Sequence, residues 1–296
     1  MKRYKYLAKE TENLVQNKAK DRGKMNVKRV LTAVIGFPVV VAVLVLCNKY
    51  IIDIVVTIAA FIAMNEFIKC VSNKDIHIVK WVSYLSIALI SIAHVLPITT
   101  YMNIILICIP IILLILFLHV IVTNMKITLN DIVYTLFGII YIFTCLVCLT
   151  LTFGIDGNIP GKILIWYILL SAWGTDIFAY IIGKKCGKTK FSKVSPNKSI
   201  EGCIAGTIGA ICICLAYTLA VNYFANFEIS YILIAIISCV LSIIGQIGDF
   251  SASVIKRNFE IKDYSNLFPG HGGMLDRIDS VMFIAPFAYI LFLTIL

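Results

Sequence analysis

Long apolar runs, separated by short polar segments, fill the chain from about residue 30 to its end. The runs are continuously apolar rather than alternating, which predicts helices and argues against a lipid-facing β-barrel. With a rise of roughly 1.5 Å per residue, a helix of about 20 residues crosses ~30 Å of hydrocarbon. Nine runs qualify, near residues 30–47, 51–68, 81–98, 102–123, 131–153, 162–183, 203–223, 229–250 and 280–296. Only a short stretch around Pro97 parts the third from the fourth. The expected fold is an all-α polytopic membrane protein with about nine transmembrane helices.

Composition agrees, with 60% hydrophobic residues, 14% charged residues and a mean hydropathy of +0.95. A net charge of +10 could suggest nucleic acid, but the basic residues lie between apolar runs rather than in a soluble domain, so no nucleic-acid partner is expected. In the nine-span arrangement every Lys and Arg except Lys49 and Lys162 falls on one side. Cytoplasmic loops carry that excess, so the amino terminus is expected to be cytoplasmic. Residues 1–29 are expected to form a basic polar cytoplasmic leader that sets topology and touches anionic headgroups, and residues 30–296 a single transmembrane domain that would carry any catalytic site. The first apolar run follows a long polar leader and is full length, unlike a cleavable signal peptide. Most of the ten cysteines lie inside apolar runs, where a thiol behaves as a small hydrophobe. Cys145 and Cys148 form a C-x-x-C in mid-span without a second pair or a histidine to complete a metal site.

Candidate chemistry concentrates in residues 173–202 and 245–280. The second segment reads GQIGDFSASVIKRNFEIKDYSNLFPGHGGMLDRIDS. If the eighth span continues as a helix beyond the membrane, Asp249, Ser253, Lys256 and Arg257 share one face. Pro269 then stops regular structure, and Gly270, Gly272 and Gly273 bracket His271 in a turn whose amides could approach a phosphate. The next helix should begin near Leu275 and carry Asp276 and Asp279 three residues apart, with Arg277 between them. These two carboxylates, joined by Asp249, suit a hard divalent cation, and magnesium fits best. Taken singly, each acidic residue could merely complement a helix dipole. Their density beside the membrane favours chemistry.

In the first segment Asp176, Tyr180 and Gly183 are spaced i, i+4 and i+7 at a span end, where an ionisable group is a functional candidate. Any one of Lys184, Lys185, Lys188, Lys190 and Lys193 is explained by the positive-inside bias. Lys198, in Ser195-Pro-Asn-Lys-Ser-Ile-Glu-Gly, stands apart because Pro196 fixes its turn and Glu201 opens the next helix. His77, His94 and His119 have no motif around them. Glu66 and Asp53, both within the second span, have no partner assignable from sequence.

The run Ser253, Lys256, Arg257, Lys262, Asp263, His271, Gly272, Gly273, Asp276, Arg277 and Asp279 fits S-x-x-K-R-x4-K-D-x7-H-G-G-x-x-D-R-x-D at every fixed position. It closely resembles the signature of the phosphatidate cytidylyltransferases, or CDP-diacylglycerol synthases. The resemblance extends through D-x-x-A-Y-x-x-G-x-x-x-G-K from Asp176 and S-P-x-K-x-x-E-G from Ser195. Ser199 and Ile200 depart from the usual Thr and Trp, and Ala252 stands where Glu is frequent.

The resemblance implies a membrane-embedded nucleotidyltransferase of phospholipid biosynthesis, in which a phosphatidate oxygen attacks the α phosphorus of CTP, yielding CDP-diacylglycerol and pyrophosphate. Its partners would be CTP, phosphatidate and the bilayer; a homodimer is left open. Asp249, Asp276 and Asp279 are expected to hold Mg2+, with a second, monovalent cation left open. Ser253, Lys256, Arg257, His271 and Arg277 complete the catalytic set, while Lys198, Ser195, Asp176, Tyr180, Lys262, Gly272 and Gly273 are expected to bind substrate. His271 is either a general acid or a donor that fixes its loop. A CTP-dependent lipid alcohol kinase is the nearest alternative, and an anion transporter is a more distant one. A bacterial plasma membrane is favoured over an organelle.

Overall fold

Side-chain caps mark where several of the helices begin. Asn48 accepts from the Ile51 amide at 3.1 Å, and Thr128 and Asp131 form a reciprocal capping box. Ser199 accepts from Gly202 at 3.1 Å. Each replaces a backbone partner that the first turn lacks. The computed structural model describes residues 34–93, 98–192, 195 and 198–295. The basic leader, His94, Pro97, Lys193 and Pro196 lie outside the described residues.

Among the described residues ten α-helices follow in order: α1 (Val34–Leu46), α2 (Lys49–Val71), α3 (Lys80–Ala93), α4 (Ile98–Val122), α5 (Leu129–Gly138), α6 (Cys145–Phe153), α7 (Gly161–Cys186), α8 (Ile200–Ala225), α9 (Tyr231–Asn258) and α10 (Leu275–Ile295). A π-helical turn, Ile139–Thr144, joins α5 to α6. Among the described residues six helical segments are long and apolar enough to cross a membrane: α2, α5 through α6, and α7 to α10. The remaining three expected spans appear as the shorter apolar stretches Val34–Leu46, Lys80–Ile92 and Leu106–Val122. Exposed Ile54, Leu85, Leu114, Ile208, Ile236 and Ile290 give the bundle an apolar exterior, as a bilayer demands. The chain is a multi-pass membrane protein.

Two apolar clusters build the interior. One gathers α2, α3, α4 and α5–α6 around Phe67, Ile87, Leu116, Ile142 and Leu146. The other gathers α7, α8 and α9 around Tyr167, Ile168, Cys214, Ile234 and Leu241. α10 joins both, giving Met282 and Tyr289 to the first and Val281, Ile284, Ala288 and Phe292 to the second. Whatever α10 carries at its amino end is therefore held at the centre of one end of the bundle. The eighth span does continue beyond the apolar run, because α9 reaches Asn258.

Candidate functional site

The segment between α7 and α8 is tied into a short antiparallel bridge. Lys190 pairs with Ser199; the Phe191 amide donates to the Lys198 carbonyl at 3.0 Å and the Ile200 amide to Thr189 at 3.0 Å. Glu201, in the first turn of α8, accepts from the Thr189 amide at 3.1 Å. These contacts present Lys198 just ahead of α8. Its ammonium donates to Asp249 of α9 and sits 4.3 Å from the centroid of Phe250, whose ring stacks on Phe191. The pair is partly open to solvent, with side chains 28% and 25% exposed.

Beside this pair lies a cavity of about 570 Å³ between α7, α8 and α9. Asp176, Tyr180, Ser195, Lys198 and Asp249 all line it. Residues from two separate sequence segments are thus brought to one space. Gln246, which sequence reasoning passed over, also lines it and donates to Thr207 at 3.0 Å. Lys262, Gly272 and Gly273 do not line this cavity.

The start of α10 is constructed differently. The Lys256 ammonium donates to Asp276 Oδ1 at 2.7 Å, with side chains only 13% and 4% exposed. Asp276 Oδ2 accepts from the amides of Tyr264 at 2.8 Å and Gly273 at 2.9 Å. Glu66, reaching across from α2, accepts from the Met274 and Leu275 amides, each at 2.9 Å, and from the Ser265 hydroxyl at 2.6 Å. Two carboxylates thereby meet the unpaired amides and positive dipole end of α10. Glycine is needed here: a Cβ on Gly273 would come within 2.6 Å of the Glu66 carboxylate, and Gly272 has a φ of +83°. The turn closes with the Phe268 amide donating to Gly272 at 2.9 Å and the His271 amide donating to Phe268 at 2.8 Å.

The Gly273 amide, expected near a phosphate, is instead taken by Asp276 because the turn folds back onto the helix start. Arg257 donates to the Ile261 carbonyl at 3.2 Å and so closes the end of α9. Ser253 is half-buried on α9, while Arg277 and Lys262 are exposed. Arg277 remains close enough to Asp176 to act on its charge. Asp279 senses Asp249 and, more weakly, Lys256 and Asp176. Their proximity is permitted by Gly248, where a Cβ would meet the Asp279 carbonyl at 2.8 Å. Among the described residues no group of three or more His, Cys, Asp or Glu side chains is arranged to hold a metal.

The sequence profile of the cytidylyltransferase family matches residues 27–295, nearly all of the bundle. The chain belongs to that family. Its relatives include a phosphatidate cytidylyltransferase of Bacillus subtilis (strain 168), 41% identical over 132 residues, covering 44% of this chain and 48% of that protein. One of Staphylococcus haemolyticus (strain JCSC1435) is 42% identical over 128 residues, covering 43% and 48%. That of Staphylococcus aureus (strain COL) is likewise 42% identical over 128 residues, with the same coverage. The aligned part spans about half the length of each of these relatives. Bacterial relatives and repeated apolar helices together place this family member in a bacterial cell membrane.

Glu66 is the clearest residue whose role sequence reasoning missed. A carboxylate within an apolar run was visible, but its partners are the Met274 and Leu275 amides, some 208 residues away in the chain. Periodicity carries no information about such a pairing.

Proposed function

We propose that the protein transfers the cytidylyl group of CTP to phosphatidate, releasing pyrophosphate and forming CDP-diacylglycerol. The observation that carries this reading is the Lys198–Asp249 pair, which joins the two motif-bearing segments beside a cavity at one end of the bundle. The activity after which the relatives are named and the complete H-G-G-x-x-D-R-x-D ending support it.

Two anionic phosphates must meet, so the protein's task is charge neutralisation and alignment. A phosphatidate oxygen forms the new bond to the α phosphorus, and the bond to the bridging oxygen breaks, with pyrophosphate leaving with the electron pair. The phosphate nucleophile is already ionised at neutral pH, so no base is required. Lys198 lines the cavity and supplies a movable positive charge, and exposed Arg277, which acts on the charge of Asp176, would supply a forked one. Lys256 fixes Asp276. Exposed Ile177, Ile181, Ile204 and Ile208 on α7 and α8 let acyl chains remain in lipid while the headgroup enters.

The oxygen-rich donor set fits magnesium, which commonly takes one or two carboxylates together with water and substrate phosphates. Asp249 and Asp279, which act on each other's charge, would be the carboxylates to hold it; Asp276, the third expected ligand, is taken up by Lys256 and two backbone amides. Bound there, the ion would neutralise phosphate charge as it develops. The test is pyrophosphate release by purified protein with CTP and magnesium. Release that requires both CTP and phosphatidate, and fails with dATP or diacylglycerol, is expected. CDP formation with a polyprenol would support the kinase reading instead.

A further inference from the structure

Where α7, α8 and α9 meet behind the Lys198–Asp249 pair, polar side chains link them. Thr175 of α7 and Ser242 of α9 share a hydrogen bond at 2.6 Å, and Ser242 donates to Thr207 of α8 at 3.2 Å. Gln246, about one turn along α9 from Ser242, donates through Nε2 to Thr207 at 3.0 Å and to the Cys203 carbonyl at 3.3 Å. Thr175 and Ser242 are buried, and the network ends on backbone carbonyls: Thr175 donates to Ser171 at 2.6 Å and Thr207 to Cys203 at 3.3 Å.

This arrangement fixes which way the Gln246 amide faces. A backbone carbonyl only accepts, so the Cys203 oxygen requires the NH2 group. The single proton of Thr207 goes to Cys203, so its oxygen accepts from Gln246. Turning the amide over would set its oxygen against the Cys203 carbonyl with no proton between them. Oε1 accepts no hydrogen bond among the described residues and is not sealed from solvent, and Gln246 lines the cavity of about 570 Å³. A fixed acceptor thus faces the cavity, on a side chain that cannot turn to offer a donor.

The cavity is graded along its length. Lys184, Ser195 and Lys198 line its outer end, where the chain leaves α7 and enters α8, whereas Thr175 and Gln246 lie about three turns back from the ends of α7 and α9. A triphosphate needs the cations and water of the outer end, and an uncharged base can occupy the inner one. The ester oxygens of phosphatidate only accept hydrogen bonds. Cytidine offers donors, of which the 4-amino group of the base lies farthest from the phosphates, as Gln246 lies inward of Lys198.

We infer that Gln246 is a specificity-determining residue that tells cytosine from uracil, its Oε1 accepting from the 4-amino group of the bound base. The inference rests on the transfer reaction proposed above. Uracil carries a carbonyl at that position, so two acceptors would face each other. The amide cannot turn over to suit uracil without losing its bonds to Thr207 and Cys203. A site built around such a contact rejects the analogue lacking the donor more strongly than an apolar pocket does.

Two variants test this. Gln246→Met removes the acceptor at similar side-chain length, and Thr207→Val keeps Gln246 but removes an anchor, so the amide can turn. The kcat/KM for pyrophosphate release with phosphatidate is measured with CTP, UTP and dCTP, beside the rise in unfolding midpoint that each nucleotide produces alone. The parent should prefer CTP over UTP by roughly 10²-fold. In Gln246→Met that preference should fall to about tenfold or less, through loss with CTP and not with UTP, while the CTP-to-dCTP ratio keeps its parental value. Thr207→Val should lower the CTP preference several-fold, chiefly by raising the rate with UTP. A purely structural role would slow both nucleotides together, so a parental CTP-to-UTP ratio in the folded variants overturns the inference. A change confined to the CTP-to-dCTP ratio also overturns it, because Oε1 would then meet the ribose. If Gln246→Met does not fold, Thr207→Val decides. A parent that releases no pyrophosphate yet is stabilised by CTP more than by UTP defeats the transfer reaction; loss of that selectivity in the variants still upholds the role of Gln246, and its persistence overturns it. A parent indifferent to the base in both measurements overturns the inference.

Discussion

A lysine–aspartate pair stands just ahead of α8 and another at the start of α10, yet one is open and the other is closed. Lys198 and Asp249 meet at the edge of a cavity with about a quarter of each side chain exposed. Lys256 and Asp276 are nearly covered, and Asp276 also holds two backbone amides. An ion pair with room beside it can exchange its partner for a phosphate at small cost, whereas a buried pair cannot be separated without stranding a charge. In the proposed reaction the α10 end would serve as the frame, and the α8 end as the surface that meets substrate.

The largest effect should come from breaking the frame. Asp276→Ala leaves Lys256 without its partner and two amides without an acceptor, so a loss of about 3–5 kcal/mol of stability is expected. Thermal unfolding of the purified variant should show it, together with loss of activity. An unchanged midpoint would mean that the pair does not brace α10.

On the open side the expected effect is catalytic. Lys198→Ala should reduce kcat by roughly 10²–10³-fold, as for removal of one preorganised charged contact. Its stability should fall by only about 1 kcal/mol or less. Steady-state kinetics beside a melting curve separates the two regions: a variant that unfolds without losing activity per folded molecule would reverse their assignment.

A smaller effect is expected at Glu66. Glu66→Gln retains one acceptor oxygen but cannot accept from both the Leu275 amide and the Met274–Ser265 side, and about 1–2 kcal/mol should be lost. Activity per folded molecule should change little, because Glu66 acts through the position of α10. A melting curve with Glu66→Asp alongside would show whether reach matters as well as charge.

The sequence made the bundle legible because a bilayer imposes an apolar length on every helix that crosses it. It also made Lys198, Asp249, Lys256 and Asp276 legible as candidates, since charged residues at span ends are few. It did not reveal which partners they take. Lys198 meets Asp249 across 51 residues and Ser265 meets Glu66 across 199, and such pairings depend on how helices pack. The π-turn at Tyr141 was hidden for another reason. A uniformly apolar span has no polar face whose shift would betray an extra residue in the turn. Gly248 reads as an ordinary small residue until the Asp279 carbonyl is found 2.8 Å from where its Cβ would stand.

The most direct test of the account is a product analysis of the purified protein with CTP, Mg2+ and phosphatidate. The account predicts CDP-diacylglycerol and pyrophosphate in equal amounts, abolished by omitting any of the three components and strongly reduced in Lys198→Ala. Release of CDP in place of pyrophosphate, or pyrophosphate release that does not require phosphatidate, would contradict it.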